Sequence, residues 1–418
     1  MPETDRHSIL ICTIAAWMGS AGLGDAANTD QQKFDQIEKG RYLATVADCF
    51  ACHTVPDVGK PYAGARAIET PFGVITSSNI TPDADTGIGA WSDEQFVDAV
   101  RRGVRPDGSR LYPAMPFPSY TRMSREDVLA IRAYLTTIEP VHQPVKANTL
   151  PFPFNIREAM RAWDALYFTE GEFQADKRQS ETWNRGAYLV QGAGHCGACH
   201  TPKSFLGGDK TSEDLRGSPL QGWFAPDITG DTGEGLGRWS EGDIVSYLKT
   251  GHNRITAATG PMAEEVADST SRYNDDDLKA IATYLKSLPQ RADQAATPQP
   301  ESSPVMRAGQ AIYRDQCSAC HGLDGNGIAM LFPSLAKSSL VHASDPTSAI
   351  RLVLRGGRSV ATPAEPTAPG MPSFAWQLND EQVAAVLTYV RNAWLTTGTP
   401  VAASTVSANR NQLRARSD

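Results

Sequence analysis

The stretches RYLATVADCFACHT (residues 41–54), AYLVQGAGHCGACHT (187–201) and DQCSACHG (315–322) each carry Cys-x-x-Cys-His, at Cys49-Cys52-His53, Cys196-Cys199-His200 and Cys317-Cys320-His321. That spacing attaches a c-type haem covalently. Two thiols on adjacent parts of one helical turn meet the two vinyl groups of a porphyrin, and the next residue places an imidazole over the iron. Each motif thus supplies two covalent tethers and one axial ligand, and three covalently bound haem c groups are expected. With seven Cys and eight His in 418 residues, chance would place the pattern roughly 0.002 times per chain, so three copies are a strong signal. The alternative, a zinc ribbon, would place its paired Cys-x-x-Cys sites closer together and follow them with fewer histidines.

Composition narrows the function classes. The formal net charge of −8 and pI near 5.6 argue against nucleic-acid binding. The length suits about three domains of ordinary size, one for each motif. Six of the seven cysteines sit in the motifs, and the seventh, Cys12, lies in the apolar N-terminus, so no disulfide framework is left to build. The segment SILICTIAAWMGSAGLG (8–24) is apolar but short for a membrane span, and small residues follow it. It reads as a secretory signal within residues 1–27, with a retained anchor as the alternative because Glu3 and Asp5 oppose Arg6 and His7. Export fits covalent haem attachment, which is normally completed outside the cytoplasm. No later stretch reaches 18 apolar residues.

The first two motif segments are copies of one another. NITPDADTGIGAWS (79–92) answers to DITGDTGEGLGRWS (227–240), just as the motif stretches answer to each other. The repeat also points to the second axial ligands, because His53 to Met115 and His200 to Met262 both span 62 residues. In the third segment His321 to Met371 spans 50 residues, and Met371-Pro372 repeats Met115-Pro116. Met262 follows Pro261 and precedes Ala263, which makes it the least typical of the three. The competing donors are Met123 for the first site, His252 for the second and Met330 for the third. Met123 and Met330 read as structural, and His252 as a solvated or propionate-bonding histidine. His142, His195 and His342 read as ordinary surface or packing residues.

Each segment begins and ends like a small helical domain. Gly40, Gly186 and Gly309 precede the motifs, where a glycine lets two helices approach closely. SREDVLAIRAYL (124–135), NDDDLKAIATYL (274–285) and NDEQVAAVLTYV (379–390) follow the methionines as amphipathic helices opened by Ser124, Asn274 and Asn379. Tyr134, Tyr284 and Tyr389 recur on one face. Trp91-Ser92 and Trp239-Ser240 open further helices, Ser92 and Gln95 standing in capping-box spacing. Two terminal helices crossing at glycine and aromatic contacts resemble class I cytochrome c. The expected fold is therefore all-α, with three tandem class I cytochrome c domains at 33–140, 181–289 and 305–397. Residues 141–180 form a connector with a helix whose Ile156, Met160, Trp163 and Tyr167 share a stripe suited to interdomain packing. Residues 290–304 are an extended linker that could let the third domain shift, and 398–418 a C-terminal tail.

With those residues in view, the mature chain resembles the three-haem cytochrome c subunits of bacterial membrane-bound dehydrogenases for alcohol, gluconate, sorbitol and fructose. NITPDADTGIGAWSDEQF (79–96), LPFPFNIR (150–157), DQCSACHGLDGNG (315–327) and MPSFAWQLNDEQVAAVLTYVRNAW (371–394) are similar to that family's segments in the same order. The resemblance implies a dehydrogenase catalytic subunit with a flavin or quinone cofactor as partner, a small subunit as an optional companion, and ubiquinone as acceptor. It places the chain on the periplasmic side of the cytoplasmic membrane, attached peripherally, and makes it a carrier of electrons with no catalytic residue of its own. Two other classes are a free-standing periplasmic shuttle and a haem enzyme resembling a di-haem peroxidase. The second needs an iron with a displaceable ligand, which three methionines at repeated spacing disfavour.

Overall fold

The computed structural model describes residues 21–290, 299–394 and 396–416. Most of the expected signal segment, with Cys12, and the middle of the expected linker lie outside the described residues. The first repeat contains α1 (Ala21–Val46), α2 (Cys49–His53), a ribbon of β1 (Ala67–Thr70) and β2 (Gly73–Thr76), α3 (Asp93–Arg102), α4 (Phe117–Tyr120) and α5 (Arg125–Leu135). After the connecting helix α6 (Met160–Tyr167), the second repeats this order. It has α7 (Glu181–Tyr188), α8 (Gly197–His200), β3 (Arg216–Leu220), β4 (Trp223–Asp227), α9 (Glu241–Thr250), α10 (Pro261–Asp268) and α11 (Asp275–Ser287). The third is built from α12 (Pro304–Gln316), α13 (Ser318–His321), α14 (Ser339–His342), α15 (Thr347–Arg355), the short pair β5 (Gly357–Arg358) and β6 (Gly370–Met371), α16 (Asp380–Asn392) and α17 (Ala403–Arg414). The fold is thus helix-rich, as expected, with three two-stranded antiparallel ribbons added.

Three helix crossings organise these elements: α1 on α5, α7 on α11, and α12 on α16. Each is fixed by its glycine. A Cβ on Gly40 would stand 1.8 Å from the Ala130 carbonyl oxygen, one on Gly186 2.0 Å from that of Ala280, and one on Gly309 2.2 Å from that of Ala385. The C-terminal partner of each pair starts where the sequence places it. Ser124 Oγ accepts from the Asp127 N–H at 3.1 Å, Asn274 Oδ1 from the Asp277 N–H at 2.8 Å, and Asn379 Oδ1 from the Gln382 N–H at 2.9 Å. Ser92 and Gln95 close the expected capping box on α3.

The first two repeats differ by one residue between helix and motif. Tyr42 precedes Cys49 by seven positions, whereas Tyr188 precedes Cys196 by eight. The extra residue is absorbed by a wide turn of π geometry over Leu189–Ala193, which follows α7 directly. Such bulges accommodate an insertion without breaking the flanking helix.

These two repeats share one hydrophobic core, which runs from Leu43, Val46 and Tyr120 to Leu189, Tyr273 and Leu285. Their junction is reciprocal. Tyr42 of α1 donates to Asp277 of α11 at 2.7 Å, and Tyr188 of α7 donates to Asp127 of α5. Lys39 pairs with Asp127 at 2.7 Å, and Arg185 with Asp277 at 2.7 Å. Tyr273 of the second repeat also reaches the Val46 carbonyl of the first at 2.9 Å, while Tyr120 holds the neighbouring Ala47 carbonyl within the first repeat at 2.5 Å. The third repeat instead has its own two core clusters, around Ile350 and Val383 and around Tyr313 and Val390. It docks on the second: Ser348 bonds both the N–H and the carbonyl of Phe224, and the Arg351 guanidinium lies 4.6 Å from the Trp223 ring.

Two expectations need correction. The segment taken for a C-terminal tail contains α17, whose buried Val406 and Leu413 pack on α15 and α16 and whose Arg410 pairs with Asp380 at 2.7 Å. The connector stripe is shorter than its periodicity suggested, because α6 begins only at Met160 and Ile156 stays exposed before it. The rest of the stripe packs as expected. Trp163 is buried, its ring centroid lies 6.2 Å from that of Phe117 in the first repeat, and its Nε1–H reaches the Leu206 carbonyl of the second at 2.9 Å.

Candidate haem-binding sites

Each motif forms a single helical turn ending in its histidine: Cys49–His53, Gly197–His200 and Ser318–His321. In all three, Nδ1 of the imidazole is held by a backbone carbonyl. His53 meets Ser78 at 2.6 Å, His200 meets Pro226 at 2.7 Å and His321 meets Pro333 at 3.0 Å. An Nδ1–H engaged in this way fixes the ring's tautomer and leaves Nε2 as the donor toward a metal. Burial lowers the proton affinity of all three rings, which favours the neutral form a ligand needs.

The two cysteines of each motif stand within one helical turn of each other and form no disulfide. Burial pushes Cys49, Cys52 and Cys196 up to about 12 and Cys199 and Cys317 up to about 11. Among the described residues no three His, Cys, Asp or Glu side chains converge as a metal site.

At the third site the cysteine, histidine and methionine donors come together, except for Cys320. Cys317, His321 and Met371 line one apolar cavity with Leu335, Leu352 and Phe374. A flat apolar ring with two vinyl groups fits a donor set of thiol, imidazole and thioether in an apolar lining. The pairing of Met115 with His53 and of Met262 with His200 is less direct. Met115 packs against the shared core together with Cys49. Met262, in the first turn of α10, packs with Ala258, Val266, Tyr247 and Val360 of the third repeat.

The competing donors separate clearly. Met123 is fully buried in the shared core, whereas Met330 is exposed at a position with φ of 63°. His252 is not solvated: it is 2 % exposed, its Nδ1 lies 3.1 Å from the Thr250 carbonyl, and its Nε2 is buried with no hydrogen-bond partner. The turn after α9 tucks it inward, where the matching turn of the first repeat, after Gly103, carries Val104. His195 packs on Tyr120, ring centroids 5.6 Å apart, and His342 Nε2 lies 3.1 Å from the Leu335 carbonyl, so both pack as expected.

A further feature escaped the sequence reading. Asp48, the residue before Cys49 and itself buried, and the partly buried Glu265 of α10 are neighbouring carboxyls where α10 packs on α2. Burial, with Glu264 and Asp268 close by, raises Glu265 from the ordinary 4.5 to about 7 and lifts Asp48 well above its usual range. The repeat itself holds the signal, since Asp48 stands where the second copy has His195.

The cytochrome c family profile matches residues 37–139, 184–289 and 306–394. The chain is 42 % identical over 393 residues to the gluconate 2-dehydrogenase cytochrome c subunit of Pantoea cypripedii, covering 89 % of each protein. It is 39 % identical over 376 residues to the cytochrome c subunit of the quinone-type alcohol dehydrogenase of Gluconacetobacter polyoxogenes, covering 86 % of this chain and 80 % of that one. The fructose dehydrogenase cytochrome subunit of Gluconobacter japonicus is 39 % identical over 380 residues, with 85 % and 78 % covered. Among the described residues no helix is long and apolar enough to cross a membrane.

Proposed function

We start from the premise that the chain belongs to the cytochrome c family, among the cytochrome c subunits of bacterial dehydrogenases, and propose that it carries three covalent haems in three tandem class I domains at 33–140, 181–289 and 305–397. It is an electron-transfer subunit and not the catalytic one. The observation that carries the haem count is the threefold recurrence of a cysteine pair followed by a histidine whose Nδ1 is occupied by a carbonyl. Cys49 and Cys52, Cys196 and Cys199, and Cys317 and Cys320 would tether the porphyrins. His53, His200 and His321 would ligate through Nε2, opposite Met115, Met262 and Met371. Haem held between histidine and methionine supplies a one-electron centre of raised potential with no open position for substrate. Leu335, Leu352 and Phe374 give the third site an apolar wall, a surrounding that would favour a raised potential.

The relatives are named for gluconate, alcohol and fructose dehydrogenases. By that likeness the partner is a dehydrogenase catalytic subunit with a flavin or quinone cofactor, on the periplasmic side of the membrane, and the acceptor is ubiquinone. The chain is exported and attached peripherally, through its partner or the bilayer surface. Two measurements test this reading. The intact mass of the acid-extracted protein should exceed the processed polypeptide by three haem masses. Deleting the gene should abolish substrate-dependent quinone reduction by membranes, while a dye that accepts electrons directly from the catalytic subunit is still reduced. Two haems, or quinone reduction that survives the deletion, would refute it.

A further inference from the structure

The carbonyls that hold the first two axial histidines belong to the ribbons of their own repeats: Ser78 follows β2, and Pro226 lies within β4. The third repeat has no ribbon at that place, because β5 and β6 pair on the Met371 side. Its histidine is held by Pro333, in the loop between α13 and α14.

That loop is anchored from outside its own repeat. The Ser334 N–H donates to the carbonyl of Ile255 in the second repeat at 2.8 Å. The Pro333 carbonyl and the Ser334 N–H belong to one peptide group, which is planar, so fixing the direction of the N–H fixes that of the carbonyl. One rigid plane therefore receives His321 Nδ1 on its oxygen at 3.0 Å and delivers its N–H to Ile255. Hydrogen bonds in such a chain also polarise one another away from water. Ser334 and Ile255 are 1 % and 2 % exposed.

The Ile255 carbonyl is itself presented by a side chain. Asn253, 4 % exposed, accepts from the N–H groups of Ile255 and Thr256 through Oδ1, both at 2.8 Å. Its Nδ2 donates to the Asp243 carbonyl in α9 at 3.0 Å. The turn that carries Ile255 is thereby tied to a helix of the second repeat.

We propose that Asn253 is a positioning residue for the third haem site: through the Ile255 carbonyl and the Pro333–Ser334 peptide it orients His321, so that the second repeat sets the ligand geometry and potential of the third. This rests on the reading that His321 ligates a haem. The hydrogen bond to Nδ1 raises the imidazole's basicity and favours the oxidised iron, so loosening it should raise the third potential.

The test is a redox titration of full-length, haem-loaded protein, with the third wave identified as the one displaced in Met371→His. In Asn253→Ala and in Ser334→Pro, which removes the N–H, the reduction equilibrium of the third haem should shift roughly threefold toward the reduced form, near 30 mV at 59 mV per decade. Ser334→Ala, which keeps the peptide N–H, should leave the wave in place. If the third wave of Asn253→Ala coincides with wild type while three haems are bound, the inference is wrong; Asn253→Ala remains decisive even where Ser334→Pro does not fold. A wild-type mass showing two haems, or Met371→His displacing no wave, would instead overturn the site assignment beneath it.

Discussion

Adding one methyl group at the helix crossings tests the packing that builds all three repeats. In Gly40→Ala the new Cβ would stand 1.8 Å from the Ala130 carbonyl oxygen, where an ordinary contact begins at 3.4 Å, so the α1–α5 pair must part by more than an ångström. The obstacle is a helix carbonyl already committed to its own hydrogen bond, which cannot rotate away as a side chain would. Overpacking costs roughly 1–3 kcal/mol, and a backbone obstacle belongs at the upper end. Alanine returns up to about 1 kcal/mol of helix propensity. The net loss is about 2 kcal/mol, which for a slope of roughly 4 kcal/mol/M lowers a guanidinium midpoint by about 0.5 M. Gly242 in α9 is the control, since a Cβ there meets only Ser240 Oγ at 3.8 Å, and Gly242→Ala should be neutral or slightly stabilising. The assay is equilibrium unfolding of the haem-loaded chain, followed by far-ultraviolet circular dichroism and Soret absorbance. Gly40→Ala and Gly186→Ala should lower the same transition because both crossings feed one core, whereas Gly309→Ala should lower a transition of the third repeat. Equal midpoints for Gly40→Ala and Gly242→Ala would refute the crossing geometry.

Two further outcomes follow from the sites. Met262→Ala should remove one share of the methionine-to-iron charge-transfer band and lower one potential; an unchanged band, with loss in His252→Ala instead, would give the second haem two imidazoles, the reading that the unpartnered Nε2 of His252 keeps open. Glu265, raised from 4.5 to about 7 by burial, keeps its proton in the folded chain after the unfolded chain has released it. It therefore opposes folding increasingly as pH rises from about 4.5 to about 7, and Glu265→Gln should flatten that loss in melting temperatures measured from pH 5 to pH 8, a result contradicted by parallel curves for the two proteins.

What the sequence made legible is what local chemistry decides. The motif helices, the caps at Ser124, Asn274 and Asn379, and the crossing glycines each depend on neighbours within one turn or on a repeated position. The ribbons were not legible because their strands are four or five residues or shorter, and Arg216–Leu220 contains both Gly217 and Pro219, residues that weaken a strand pattern. A signal for one turn was present all the same: Gln221-Gly222, both at positive φ, is the kind of pair that a tight hairpin needs. Helix α17 was missed because ASTVSANRNQLR is mostly polar, with an apolar contribution of little more than Val406 and Leu413. The inward turn of His252 and the Tyr42–Asp277 bond join residues whose meeting depends on tertiary placement, which a single sequence does not display.

The two junctions between repeats differ in a way that bears on how the chain works. Between the first and second, apolar side chains are continuous and the polar contacts are reciprocal, so neither half presents a finished surface without the other. Their relative placement is as fixed as a domain interior, which suits a pair of sites whose separation must not vary. Between the second and third, one small apolar cluster in which Val360 meets Ala258 and Val266 is joined by a few directed contacts: Ser348 with Phe224, Arg351 over Trp223, and Ser334 to Ile255. The C-terminal segment adds one tie to the first repeat, Arg416 to Glu69 at 2.7 Å. Interfaces of this kind are where relative motion is ordinarily expected. One of these bonds nevertheless ends on the peptide that orients His321, so a shift of the third repeat on the second would alter the ligand of the third site together with its position. Docking and ligand geometry are therefore linked at this junction, whereas the carbonyls that hold His53 and His200 lie beside or within the ribbons of their own repeats.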